Sequence, residues 1–190
     1  MRTGIQISLF SAVMTASAFV SAECPAIFQQ PIKALNNEAS IDLCAVTAGK
    51  PVLLVNTASR GGFVEQLAEL EAIHERYKDH GLVVIGVSSD SFDGKADENA
   101  AADIYFHNYG VTFTMAGNVD VAGDNAHPLY QEVARQYYAP KWSFYKYLVT
   151  AEGQVVATNS SFTMPSTETL DALIRGELQA PLQIGYLSAR

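Results

Sequence analysis

Two short runs rich in Val, Leu and Ile, PVLLVNT (Pro51–Thr57) and LVVIGV (Leu82–Val87), frame a segment whose apolar residues recur every three or four positions. Runs that are apolar at consecutive positions make strands buried on both faces. Between them Val64, Leu67, Leu70, Ile73 and Tyr77 mark one face of a predicted helix over Val64–His80, which Gly81 stops. Strand, helix and strand in this order form a parallel pair joined by a right-handed crossover. A chain committed to that unit must cover both faces of its sheet.

The rest of the chain is read against this unit. Ser88–Asn99 is polar, with Asp90, Asp93, Asp97 and Glu98, and is expected as a surface loop near the strand ends. A helix over Glu98–Asn108 and an extended stretch to Val121 follow. Turn residues at Asp120–Asn125 lead into a helix over His127–Tyr137, with Pro128 just inside its start. The runs Phe144–Thr150 and Gln154–Thr158 flank Ala151-Glu152-Gly153 as a β-hairpin, whose alternation places half of Phe144–Leu148 in the core and leaves Tyr137, Tyr138, Tyr145 and Tyr147 as a candidate aromatic patch. Ser166 N-caps a last helix reaching Leu178. The predicted class is α/β: a parallel half joined to an antiparallel half in one mixed central sheet, the order of a thioredoxin-like three-layer α/β/α sandwich.

Residues 1–22 carry one positive charge at Arg2, an apolar centre and the small-residue ending Val20-Ser21-Ala22. This is the pattern of a secretory signal cleaved before Glu23. The competing reading, a retained membrane helix, meets Thr15, Ser17 and Ser21, and the apolar run is shorter than the ~20 residues that spanning needs. Glu23 also stands where a lipid-anchored Cys24 would require a small residue. The expected product is one domain over residues 23–190, soluble and either periplasmic or extracellular. The full chain has 20 acidic against 12 basic residues and a net charge of −8, and loss of Arg2 with the signal makes the product one unit more negative, so its surface repels nucleic acid and anionic membranes.

Only two cysteines are present, Cys24 and Cys44. An isolated pair in an oxidising compartment is read first as a structural disulfide. Two free thiols and a redox-active pair are the alternatives, the last without any Cys-x-x-Cys spacing.

Four segments together resemble the glutathione peroxidase family. NTASRGGF (Asn56–Phe63) is similar to its strand-to-helix signature Ala-Ser-x-Cys-Gly-Phe, and Leu70–Val87, Val119–Tyr130 and Trp142–Val149 resemble later segments in their proper order. The resemblance implies a thioredoxin-like fold and a site of cysteine or selenocysteine, glutamine, tryptophan and asparagine. Matched residue by residue, those positions are Gly61, Ser91, Trp142 and Ser143. The tryptophan is kept and the other three are not.

Peroxide reduction begins with thiolate attack on the O–O bond and yields a sulfenic acid that a second thiol resolves. Glycine carries no nucleophile, and the nearby serines are too weakly acidic to replace a thiol. The expectation is therefore a secreted family member that has lost the peroxidase reaction. The alternative is an active peroxidase using a displaced Cys24 or Cys44, with glutathione or a thioredoxin as reductant and a small hydroperoxide as substrate. A disulfide oxidoreductase or chaperone-like module is a third reading. No resident cofactor is implied. The Gly61-Gly62 turn is a candidate anion-binding site, with a plain positive-φ turn as its competitor. His74, His80, His107 and His127 lack metal-ligand spacing, and Asp120 and Asp124 read as turn residues.

Overall fold

The structure, a computed structural model, describes residues 23–94 and 97–180. The expected signal at 1–22 lies outside the described residues. A 3₁₀ turn (Ala26–Phe28) leads to a small hairpin of β1 (Ile32–Lys33) and β2 (Ser40–Ile41) and the short helix α1 (Leu43–Thr47). Then come β3 (Val52–Thr57), α2 (Gln66–Tyr77), β4 (Val83–Ser88), α3 (Glu98–Ala102), β5 (Thr114–Ala116), α4 (Pro128–Gln136), β6 (Lys146–Val149), β7 (Val155–Asn159) and α5 (Thr167–Ile174).

The main sheet has the order β5-β4-β3-β6-β7. β3 runs parallel to β4 and antiparallel to β6, so the sheet is mixed and β3 is its centre. All six β3 residues are buried because helices cover both faces. Leu53 and Val55 pack with Leu67 and Leu70 of α2, Ala101 of α3 and Leu170 and Leu173 of α5. Val52 and Leu54 point the other way, onto Leu129 and Val133 of α4 and onto Ile27, Phe28 and Leu43 of the N-terminal arm. This is the expected α/β/α sandwich.

Local chemistry explains the boundaries. Asp97 caps α3 through Ala100 N, and Ser166 caps α5 through Thr169 N. His127 caps α4 by accepting from Leu129 N through Nδ1, with Pro128 as the first helical residue. The helix after Asp97 does not run uniformly to Asn108: it passes into a π-helical stretch at Asp103–Asn108. The N-terminal hairpin and α1, too short to show periodicity, are additions to the sequence reading.

Alternation fails in β6. Lys146, Tyr147, Leu148 and Val149 are all buried, since this strand lies between β3 and β7 and is covered on both sides. Tyr147 is therefore a core residue and not part of a surface patch. Lys146 is enclosed completely, and its Nζ donates to Gln66 Oε1, to the Thr163 carbonyl at 3.1 Å and to the Ser160 carbonyl at 3.3 Å.

Cys24 and Cys44 form a disulfide, with Cα atoms 5.5 Å apart. It ties the start of the N-terminal arm to α1. Beside it a cleft of about 300 Å³ is lined by Gly49, which precedes β3, and Ala151, which follows β6. The disulfide thus sits at the entry end of β3.

Candidate functional site

The exit end of β3 gathers three segments. β4 is parallel to β3, so the loop after Ser88 emerges there, and β6 is antiparallel, so the segment leading into it arrives there. Asn56, fully buried near the end of β3, binds the third segment on both sides. Its Nδ2 donates to the Trp142 carbonyl at 3.0 Å and its Oδ1 accepts from Tyr145 N at 3.0 Å. Its own carbonyl accepts from Phe144 N at 2.6 Å, and Phe144 takes φ +61° to make the turn.

Gly61 follows four residues after β3 with φ +99°. The α2 helix does not begin until Gln66, and turns bonded from Gln66, Leu67 and Ala68 to Phe63, Val64 and Glu65 intervene. A Cβ at Gly61 would lie 2.7 Å from Asp93 Oδ1 and 3.2 Å from Asp93 Cγ. The carboxylate of Asp93 therefore fills the space that a side chain at position 61 would enter. The Oδ2 atom of Asp93 is buried and has no hydrogen-bond partner among the described residues.

At the Gly61-Gly62 turn a carboxylate of the protein lies against Gly61, and its charge disfavours an anion there. The positive-φ reading applies to Gly61 alone of the pair.

Next to Asp93, Phe92 stacks on Trp142 with ring centroids 5.8 Å apart and planes 27° apart. Trp142 is 47% exposed, so one part of the indole faces outward. Phe162, 82% exposed, meets Phe63 edge to face at 5.1 Å. The turn carrying Phe162 is held by Ser161 Oγ donating to the Ser143 carbonyl at 2.6 Å and by Gln66 Nε2 donating to the Ser161 carbonyl at 2.6 Å.

The structure thus links Gly61 to the β4 loop through Asp93 and links that loop to Trp142 through Phe92. Ser91 is used internally: its hydroxyl accepts from Ser89 Oγ at 2.9 Å and from Val121 N at 3.1 Å. Ser143 is buried and serves through its backbone. Asp90 accepts from Asn118 Nδ2. Below the strand ends lies the fully buried phenol of Tyr105, whose hydroxyl lies near those of Thr57 and Ser88 and makes no well-formed hydrogen bond among the described residues. Burial pushes it up to about 12; the neighbouring Thr57 and Ser88 hydroxyls act against the rise, and the charges of Asp90 and Asp93 add to it.

Sequence reasoning missed Asn56, Asp93, Phe92 and Phe162. Asn56 left a signal, an amide inside an otherwise apolar buried strand, which must be hydrogen-bonded. Asp93 looked like any acid of a solvated loop.

A family model described as Glutathione peroxidase matches residues 27–134. The chain is similar to the glutathione peroxidase-like peroxiredoxin gpx1 of Schizosaccharomyces pombe, at 39% identity over 62% of this chain and 78% of that protein. It is also similar to the glutathione peroxidase-like peroxiredoxin HYR1 of Saccharomyces cerevisiae, at 40% identity over 67% and 84%. Among solved structures, Trgpx in its apo form superposes with a TM-score of 0.63 at 29% identity, over 84% of this chain and 100% of that one. A secreted Mycobacterium tuberculosis disulfide oxidoreductase shares the fold, with a TM-score of 0.53 at 16% identity over 79% of this chain and 97% of that one.

Proposed function

The chain belongs to the glutathione peroxidase family, and from that premise we propose that it is a secreted member, related to oxidative-stress defence, that has lost thiol peroxidase chemistry and acts by binding. One observation carries this reading: the position matched to the peroxidatic cysteine is Gly61, and Asp93 occupies the space above it.

The reaction needs a thiolate at the helix-side turn and a second thiol to resolve the sulfenic acid. The whole chain has two cysteines, and both are consumed in one disulfide. The disulfide also lies at the wrong end of the central strand. Six residues of β3 at about 3.3 Å each separate the two ends by roughly 20 Å. A displaced thiol at Cys24 or Cys44 would have to be released by reduction and then cross that distance. Two of the remaining family positions also lack the groups that polarise a peroxide, since Ser91 and Ser143 replace an amide each and are engaged in loop contacts.

Export is supported by the pattern of residues 1–22 and by a disulfide, which persists in oxidising compartments. Cell fractionation with N-terminal sequencing tests it: the mature chain should begin at Glu23 and lie outside the cytoplasm, and a cytosolic chain retaining residues 1–22 refutes export.

The test of function is consumption of hydrogen peroxide and of an organic hydroperoxide by the purified mature chain, with glutathione and separately with a thioredoxin system. No consumption above background is expected. Turnover that Cys24→Ser or Cys44→Ser abolishes would instead establish an active peroxidase with a displaced thiol.

A further inference from the structure

Helix α4 begins on a histidine. Its first residue, Pro128, brings no N–H, Tyr130 N and Gln131 N donate to the His127 carbonyl at 2.8 Å and 3.0 Å, and Leu129 N donates to His127 Nδ1 at 3.2 Å. The side chains that usually cap a helix, Ser, Thr, Asp and Asn, offer oxygens that accept throughout the neutral range. An imidazole nitrogen accepts only while it carries no proton. Nδ1 is therefore the bare nitrogen of a neutral ring. A proton there would set two donors against each other at Leu129 N and place a positive charge at the positive end of the helix.

The ring stands where three elements meet. His127 N donates to the Asp120 carbonyl at 2.8 Å, which fixes the turn before α4, and the backbone of Pro31, just ahead of β1, interacts with the imidazole. Leu129 and Val133 of α4 share a core cluster with Ile27, Phe28 and Ile32 of the N-terminal arm. The disulfide ties that arm to α1 and not to α4, so its seat on α4 is noncovalent. Burial lowers the imidazole below its ordinary 6.5, and the Pro31 backbone acts against this. The charged side chains of these elements, among the described residues, are Glu132 and Arg135 of α4, paired with each other, and Asp120 and Asp124 of the turn. The arm adds Lys33, paired with Glu38, together with Glu23 and Asp42. None of these charges is a cause of the lowering. His127 is only partly buried, so protons from solution reach it.

We propose that His127 is an acid-sensitive clasp: when Nδ1 takes a proton, the first turn of α4 is released and the N-terminal arm loosens from it. The unfolded chain takes that proton near 6.5, whereas the folded chain must first give up the bond from Leu129 and takes it only at lower pH. The clasp's contribution is thus complete above 6.5 and is lost as pH falls through the folded value. It does not depend on whether the chain reduces peroxide.

The experiment titrates the mature chain from pH 8 to pH 5 by NMR, following the His127 ring and the amides of Leu129, Ile27 and Phe28. The ring should take its proton below 6.5, and the three amides should shift along the same curve. In urea melts the wild type's folding constant should fall at least about threefold relative to His127→Asn between pH 7.5 and 5.0, because an asparagine cap carries no titrating group. A ring that titrates at or above 6.5, a Leu129 amide that does not move with it, or an unchanged ratio between the two folded proteins overturns the proposal. The wild-type titration decides alone if the variant does not fold. Amides of Ile27 and Phe28 that stay still while Leu129 moves would sink the release of the arm.

Discussion

Asp93 Oδ1 stands 2.7 Å from the point where a Cβ on Gly61 would sit. The two residues fit as a pair: one has no side chain, and the other extends a carboxylate into the space. That space is set by backbone, since β3 and β4 are parallel neighbours from Val52↔Val83 to Thr57↔Ser88 and their following loops must meet.

Placing a cysteine at position 61 alone should therefore not create a peroxidase. Gly61→Cys meets the Asp93 carboxylate and places a side chain at φ +99°, a conformation costing on the order of 1–3 kcal/mol for a non-glycine residue. Thermal melts should show the variant destabilised and peroxide assays should show it inert. Gly61→Cys/Asp93→Gly removes the collision, and its new thiol should be oxidised by hydrogen peroxide to a sulfenic acid that a dimedone probe captures. A single variant as active as the double one would show that Asp93 moves aside freely.

The disulfide predicts stability without activity. Its cysteines are 20 residues apart, and closing such a loop contributes about 3 kcal/mol in the chain-entropy model. Cys24→Ser/Cys44→Ser should unfold at lower urea concentration by about that amount, while peroxide consumption stays at background in both proteins. Thiol titration of the unreduced wild type should find none. A peroxidase rate that changes on removing the pair would contradict the separation of the two ends of β3.

The sandwich was legible because its signals are periodic or positional: consecutive apolar residues in β3 and β4, three-to-four spacing in α2, Pro128 at the start of α4 and the cap at Ser166. The glycine at position 61 was equally legible, being a matter of residue identity. What lies against it was not, because Asp93 reaches Gly61 across 32 positions through a loop whose path no local pattern encodes. Lys146 was hidden for the opposite reason. A lysine in a strand ordinarily argues for an exposed face, and only the meeting of Gln66 with the Ser160–Thr163 turn provides acceptors that let it be buried.

Asn56 should prove more damaging to lose than its size suggests. Asn56→Ala leaves the Trp142 carbonyl and Tyr145 N without partners, on the order of 1–3 kcal/mol for each buried group left unpaired. Urea melts should show that loss. Trp142 emission should also shift to the red as the loop before β6 loosens and the stack on Phe92 opens. Unaltered emission in a destabilised variant would mean that other contacts hold the loop.

Lys146 makes stability depend on pH in a defined direction. Burial lowers its ammonium from the ordinary 10.5 to about 8, against the opposing charge of Glu69. Between those values the unfolded chain holds the proton and the folded chain does not, so raising pH favours folding across this window. Integrated from pH 7.5 to 9.5, the gain is about 2 kcal/mol by proton linkage. The buried tyrosines act in the other sense: burial raises Tyr105 to about 12 and Tyr130 well above its ordinary value, so their contribution, present below pH 10, is lost at higher pH. Comparing wild type with Lys146→Met cancels them. Urea melts of both at pH 7.5 and 9.5 should show the wild type gaining about 2 kcal/mol relative to the variant as pH rises. A difference that stays constant would mean that the three acceptors around Nζ hold the ammonium protonated throughout, and that burial does not decide its charge.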